Sequence, residues 1–268
     1  MCLGNQQLAF QETSHGEGVQ LPPAQPATSL TLEHDHSAEA IKQRLAEGPR
    51  QNYLRDWIYG GIDGSVTTFA VVTGVVGAQL SPLVIVILGF ANLLADGFSM
   101  AASNFLGTRS EHDDMRRLAA IERRHIELAP DGEREEVRQI FARKGFAGSD
   151  LQRVVELITA DRDRWVRTML TEEYGLPHEA RSPWLAALST FSAFVVCGLA
   201  PLIPFLIDLR NQFRLSIILT GAVFFTIGSV KSRWSTVSWW RSGFSTLLVG
   251  GIAAILAYAV GVVLKNIA

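Results

Sequence analysis

The sequence predicts an all-α membrane protein: five transmembrane helices, with a three-helix insert between spans two and three. Charge segregation is the first reason. Of the 268 residues 48% are hydrophobic and 19% charged, but the charges crowd into residues 30–56 and 108–181 and leave the rest nearly charge-free. Such blocks fit a membrane protein with a soluble insert better than one globular domain. The second is a positive mean hydropathy, +0.19. The third is that five segments approach the roughly 20 mostly apolar residues needed to cross a bilayer.

Taken in order, residues 1–37 form a polar tail. "MCLGNQQLAFQETSHGEGVQLPPAQPATS" has no basic start and no long apolar core, so it does not read as a signal peptide. Its Pro, Gln, Gly and Ser content predicts disorder. Residues 38–56 form a juxtamembrane segment. Ser37 to Glu47 is rich in helix formers and is broken by Gly48 and Pro49, which predicts a short amphipathic helix on the membrane surface.

Residues 57–107 hold the first two spans, about Trp57–Leu80 and Pro82–Gly107. Residues 183–268 hold the other three, about Trp184–Ile207, Leu215–Val230 and Phe244–Leu264. Between them, residues 108–182 read as three soluble helices. The first, "SEHDDMRRLAAIERRHIELA", can run on from the second span and stops at Pro130-Asp131-Gly132. "EREEVRQIFARKGF" carries Gly145 near its end. The last runs from Ser149, an N-cap, to Gly175, a C-terminal stop.

The positive-inside rule orients the chain. Arg50 and Arg55 precede span one, and Lys231, Arg233 and Arg241 lie between spans four and five, whereas the turn around Ser81 is uncharged. This places the N-terminus and the insert in the cytoplasm. Trp57, Trp184, Trp239 and Trp240 suit an interfacial belt.

Against this apolar background a few polar side chains stand out. Asn92, Asp96 and Met100 are spaced i, i+4, i+8, on one face of span two. In span one, Gly60, Asp63, Gly64, Thr67 and Thr68 make a small, polar face, continued by Gly74, Gly77 and Ala78 as a surface for close helix packing. A carboxylate at mid-bilayer costs on the order of 3 kcal/mol, so Asp63 and Asp96 are functional candidates. Oxygen donors with one thioether favour a transition metal over calcium or magnesium. The alternative is that the polar groups pair helices and Met100 fills space.

The insert offers Glu122 with His125, Glu133 with Glu136, and Met169 with Glu173, each pair at i, i+3 or i, i+4, and beside them Glu172. Such pairs can present two ligands to one ion. Glu-rich helices are also commonly solvated faces, and "ERRH" and "EREE" have arginines at hand. His34 and His36 read as part of the tail. With a net charge of -2 and two cysteines, the chain offers no nucleic-acid patch, disulfide framework or zinc cluster. Nor is there a nucleophile-base pattern or a phosphate loop, so the reading is a non-enzyme without a resident cofactor.

"LRDWIYGGIDGSVTTFAVVTGVVGA", "ANLLADGFSMAASNFLGTRSE" and "GLAPLIPF" resemble the vacuolar iron transporter family, which has bacterial members, over about residues 50–268. The resemblance implies a homodimeric exporter of ferrous iron, often with manganese, driven by proton antiport. It implies a bacterial cytoplasmic membrane, or a vacuolar membrane in a eukaryote. It matches Asp63 and Met100 to residues lining the transport path. Where a branch of that family has a glutamate, this chain has Asn92, leaving Asp96 one turn on as the nearest carboxylate. In the insert it matches Glu122, Glu133, Glu136, Met169 and Glu173 to metal ligands, with His125 and Leu170 standing where glutamates are expected. The rival readings are a membrane-anchored metal sensor and a structural membrane protein.

Overall fold

The computed structural model describes residues 35–48, 51–177 and 181–267. Every regular element among them is helical. Residues 1–34 of the polar tail, His34 among them, lie outside the described residues. α1 (Ala38–Glu47) belongs to a unit of its own and starts where the Ser37 hydroxyl accepts the Ala40 N–H at 3.3 Å. It is shorter than the 38–56 juxtamembrane segment, since residues 54–56 already belong to the next helix.

The second unit is built on α2 (Leu54–Gly77), α3 (Pro82–Leu128), α7 (Pro183–Leu199), α9 (Gln212–Lys231) and α10 (Trp239–Lys265). α2, α3, α9 and α10 are long and apolar enough to cross a membrane, and α7 is a shorter apolar helix of 17 residues. The protein is thus an all-helical membrane protein. α2 is the central post, packed against α7, α10, α3 and α9. A Cβ on Gly60 would lie 2.3 Å from the Thr190 carbonyl oxygen, and one on Gly64 2.3 Å from that of Phe194. Only glycine lets the α7 backbone come so near. The apolar core beside this contact joins Phe69, Val72, Ile85, Leu93, Phe194 and Leu202.

The span expected over residues 184–207 is interrupted. α7 ends at Leu199, and a turn leads into the single helical turn α8 (Ile203–Leu206). Pro201 and Pro204 have no N–H to give an α-ladder. The Pro201 carbonyl takes a buried hydrogen bond from Ser216 Oγ, 2.8 Å, on α9.

α3 has 47 residues, about 70 Å at 1.5 Å per residue, more than twice the roughly 30 Å hydrocarbon core. The second span and the first helix of the charged block are therefore one rod. α4 (Pro130–Arg143), α5 (Gly148–Thr159) and α6 (Arg162–Glu172) fold against its projecting end. Their core is Ile126, Val137, Ile140, Val155, Trp165 and Met169. Where one helix was expected over 149–175 there are two, because the Asp161 carboxylate accepts the Arg164 N–H at 2.7 Å and caps a new start. The start at Gly148 also leaves Ser149 inside the first turn. Gly145 follows the Lys144 cap of α4. At φ +96° it lets its N–H reach the Ala142 carbonyl (3.0 Å) and the Phe146 N–H reach that of Phe141 (3.2 Å). The Phe141 and Phe146 rings then meet edge to face at 5.7 Å.

Candidate metal sites

Two groups of ligand-type side chains emerge, one in the charged block and one between α2 and α3. In the block, Glu122 and His125 sit one turn apart on α3, and Glu133 approaches from the first turn of α4. His125 Nδ1 lies 3.4 Å from Glu133 Oε1 and 4.0 Å from Glu122 Oε1. One ligand atom from each of the three falls within 4.8 Å of the others. Metal–ligand bonds of about 2.1 Å hold neighbouring ligand atoms about 3 to 4 Å apart, so this spacing suits one ion.

Burial makes the trio unlike a solvated face. Glu122 is 1% and Glu133 5% exposed, and an Oε2 of each is buried without a hydrogen-bond partner. Orphaned carboxylate oxygens are costly unless a cation meets them. The Glu133 carboxyl is pushed up to about 7, first by burial, then by the charges of Glu122, Glu136 and Glu173. Glu173 is raised by desolvation and then by Glu122 and Glu136, with His125 opposing.

The remaining predicted ligands divide. Glu136 and Glu173 are exposed at the rim, where with Glu172 they line a cavity of about 310 Å³. Glu172 is bonded to Lys144, which satisfies its charge and sets it apart from the trio. Met169 is wholly buried in the core of the block. Leu170 packs against the same core. Sequence reasoning missed Tyr174, whose hydroxyl donates to Glu122 Oε1 at 2.9 Å. Burial, then this bond, pushes the phenol up to about 12. Its place next to Glu173 was the available signal.

Between α2 and α3 the antiparallel register follows from two contacts. Thr67 and Thr68 hydroxyls donate to Asn92 Oδ1 at 3.2 and 3.3 Å. At the other end, Asn104 Nδ2 donates to Asp56 at 2.9 Å. Asp63 therefore lies level with Asp96. Asn92 spends its amide N–H on Asp96. The predicted stripe thus lies on one face of α3, at the level of Asp63. Met100 continues that face and borders both the apolar core and a polar cavity of about 270 Å³.

That cavity exposes a second omission. Asp56 is buried, ion-paired with Arg181 and hydrogen-bonded to Asn104, which also donates to Thr190 Oγ1 at 2.8 Å. Asn104 extends the 92, 96, 100 series by one more turn, and Asp56 precedes Asp63 by two turns, so both were readable as face positions.

A helical membrane protein that carries acids inside its apolar helices, and a buried Glu–His–Glu trio on a projecting helical block, is the class these observations define. The chain belongs to the VIT family, whose family model matches residues 54–262. It is 30% identical over 226 residues to the vacuolar iron transporter of Toxoplasma gondii, covering 80% of this chain and 75% of that one. It is 32% identical over 210 residues to vacuolar iron transporter 1 of Eucalyptus grandis, covering 76% and 84%. With vacuolar iron transporter 1 of Arabidopsis thaliana it shares 29% over 241 residues, 86% and 96% of the two chains.

Proposed function

We propose that the protein carries ferrous iron, and also Mn2+, out of the cytoplasm in exchange for protons. The observation that carries the reading is the α2–α3 register that sets Asp63 level with Asp96, inside helices long and apolar enough to span a bilayer. Acids in such a position mark ion pathways. Protonating a carboxylate removes the charge that holds a metal, so a proton and a cation compete for one site, which is the physical requirement of antiport. The names of the relatives support iron as the cargo.

In this reading the trio Glu122, His125 and Glu133, with Glu136 and Glu173 beside it, captures the ion. Asp63, Asn92, Asp96 and Met100 then pass it across. α7 with α8 completes a fifth span. The α9–α10 connection shares a cavity with the start of α2, which puts Lys231 beside Arg55 at the end that carries the charged block. Basic residues gathered at that end favour a cytoplasmic block. Asp96, Ser99 and Ser103 face outward from a single chain. Lipid cannot satisfy them, so a second copy covering this face, in a homodimer, is the arrangement that fits.

The test is Fe2+ and Mn2+ uptake into proteoliposomes with and without a pH gradient. Asp63→Ala is expected to abolish flux while the protein stays monodisperse; full flux in that variant sinks the path. A second reading, a membrane-anchored metal sensor, is favoured by the trio's being complete without any transmembrane side chain. Stoichiometric metal binding with no flux in the unmodified protein would select it.

A further inference from the structure

We propose that Asp56 is a divalent-cation site at the mouth of the transmembrane track, and that Arg181 occupies it as a tethered cation until a metal ion takes its place. The inference rests on the transport reading for its role, and on the geometry for the site itself.

The cavity of about 270 Å³ lies between the two metal groups. Met100 lines it together with Glu111, about three turns further along α3 towards the charged block. An ion moving from block to stripe along α3 meets this space on the way. Asp56 is its most buried acid, with a side chain 6% exposed, whereas the Arg181 side chain is 31% exposed. The acid is therefore fixed and the cation is the mobile member.

Arg181 is also incompletely held. Beyond Asp56 its guanidinium has the Tyr53 ring at 5.4 Å, and its Nε is buried without a partner. Asp56, by contrast, keeps the Asn104 amide whether or not Arg181 stays. If Arg181 swings into water, a buried carboxylate is left uncompensated, a strongly unfavourable state. A cation arriving as Arg181 departs removes that cost. The surroundings are oxygen-rich: the hydroxyls of Thr108 and Thr190 line the same space and Glu111 faces it. Such donors suit a divalent ion with part of its water shell retained. Arg55 and Arg181 are the cations lining the cavity, and while Arg181 remains paired it excludes a second cation by charge.

The experiment uses the full chain in lipid nanodiscs, with Cys2→Ser and Cys197→Ala, and Gly107→Cys as a reporter on the cavity lining, where an added Cβ meets nothing within 4 Å. Its labelling rate by a cationic, membrane-impermeant thiol reagent is followed against Mn2+ concentration. Mn2+ is expected to slow labelling, and Asp56→Asn to remove the protection. Arg181→Lys keeps the charge but loses the planar fork, so half-protection should shift to a Mn2+ concentration about tenfold lower, the size of one charge-assisted hydrogen bond. Arg181→Gln is expected to label faster without metal. Should that variant not fold, the Lys series decides. Equal half-protection in the Arg181 and Lys proteins, or protection that survives Asp56→Asn, overturns the proposal. Flux is measured separately on the same protein in vesicles: its absence would defeat the transport reading while leaving Mn2+ protection at Asp56 in place.

Discussion

His125 Nδ1 stands 3.4 Å from Glu133 Oε1, an imidazole on α3 brought against a carboxyl on α4 that is buried and crowded by other acids. The pH dependence of the metal-free fold follows from the Glu133 carboxyl. Its value rises from an ordinary 4.5 to about 7 on folding. Below pH 4.5 both states hold the proton and the contribution to stability is complete. Between 4.5 and 7 the unfolded chain gives the proton up first, so stability falls as pH rises, on the order of 3 kcal/mol by pH 8. The melting temperature of the metal-free protein is expected to drop from pH 5 to pH 8. Saturating Mn2+ should flatten the curve, and Glu133→Gln should remove most of the slope. A metal-free profile that rises over this window contradicts the assignment.

If the trio takes up a metal as proposed, the same displacement makes that uptake release protons. At pH 6 Glu133 is largely protonated, so binding must expel its proton; at pH 8 it has none to lose. Calorimetry in two buffers of different ionisation enthalpy should show proton release at pH 6 and much less at pH 8. Affinity should rise with pH and level off above 7.

Tyr174 is expected to act through Glu122. Its hydroxyl bond at 2.9 Å fixes a carboxylate that, in the proposed reading, an ion would meet. Removing such an outer partner typically costs about 10–100-fold in metal affinity. Tyr174→Phe should show that loss in Mn2+ titrations with little change in melting temperature. Glu172→Gln, whose acid is already engaged by Lys144, should leave affinity unchanged. Equal losses in both variants would mean that bulk negative charge, not the trio, binds the ion.

Much of this was legible because lipid makes polar residues conspicuous. The stripe of Asn92, Asp96 and Met100 has one period and lies on one continuous helix, α3, while helix pairing and space filling stayed open as its role. Its pairing with Asp63 follows from two long antiparallel helices. The charged block gave far less. Glu133 and Glu172 look alike in sequence, both in acidic, arginine-containing helices. Only packing decides that one is buried without a cation and the other bonded to Lys144. The Asp56–Arg181 pair spans 125 positions, and no local pattern records a partner at that distance. The break after Leu199 was visible in Pro201 and Pro204, but apolarity continues through them and masks the stop.

Asp96→Asn separates charge from shape in the membrane. The variant retains a side-chain oxygen to accept the Asn92 amide, so the α3 face keeps its form while the charge opposite Asp63 is lost. If Asp96 serves as the second acid, Mn2+ flux in proteoliposomes should fall at least about tenfold, the worth of roughly 1.4 kcal/mol, and respond less to an imposed pH gradient. Unchanged flux with unchanged pH response would reduce Asp96 to a hydrogen-bond partner of Asn92.

Gly64 offers a test of the packing that holds the track together. A methyl there would sit 2.3 Å from the Phe194 carbonyl oxygen and 2.8 Å from its Cα. Both belong to the α7 backbone, so no flexible side chain can turn away, and α2 and α7 must separate. Overpacking of this kind typically costs about 1–3 kcal/mol. The same separation disturbs the α2 face that carries Asp63, one residue earlier. Gly64→Ala is expected to lower the melting temperature in detergent and to reduce flux more than its stability loss explains. Gly251→Ala in α10 is the control: nothing lies within 4 Å of the added methyl, and alanine favours the helix by up to about 1 kcal/mol. It should be neutral or stabilising with full flux. A Gly64→Ala protein as stable and active as Gly251→Ala would mean that α2 and α7 do not approach this closely in the membrane.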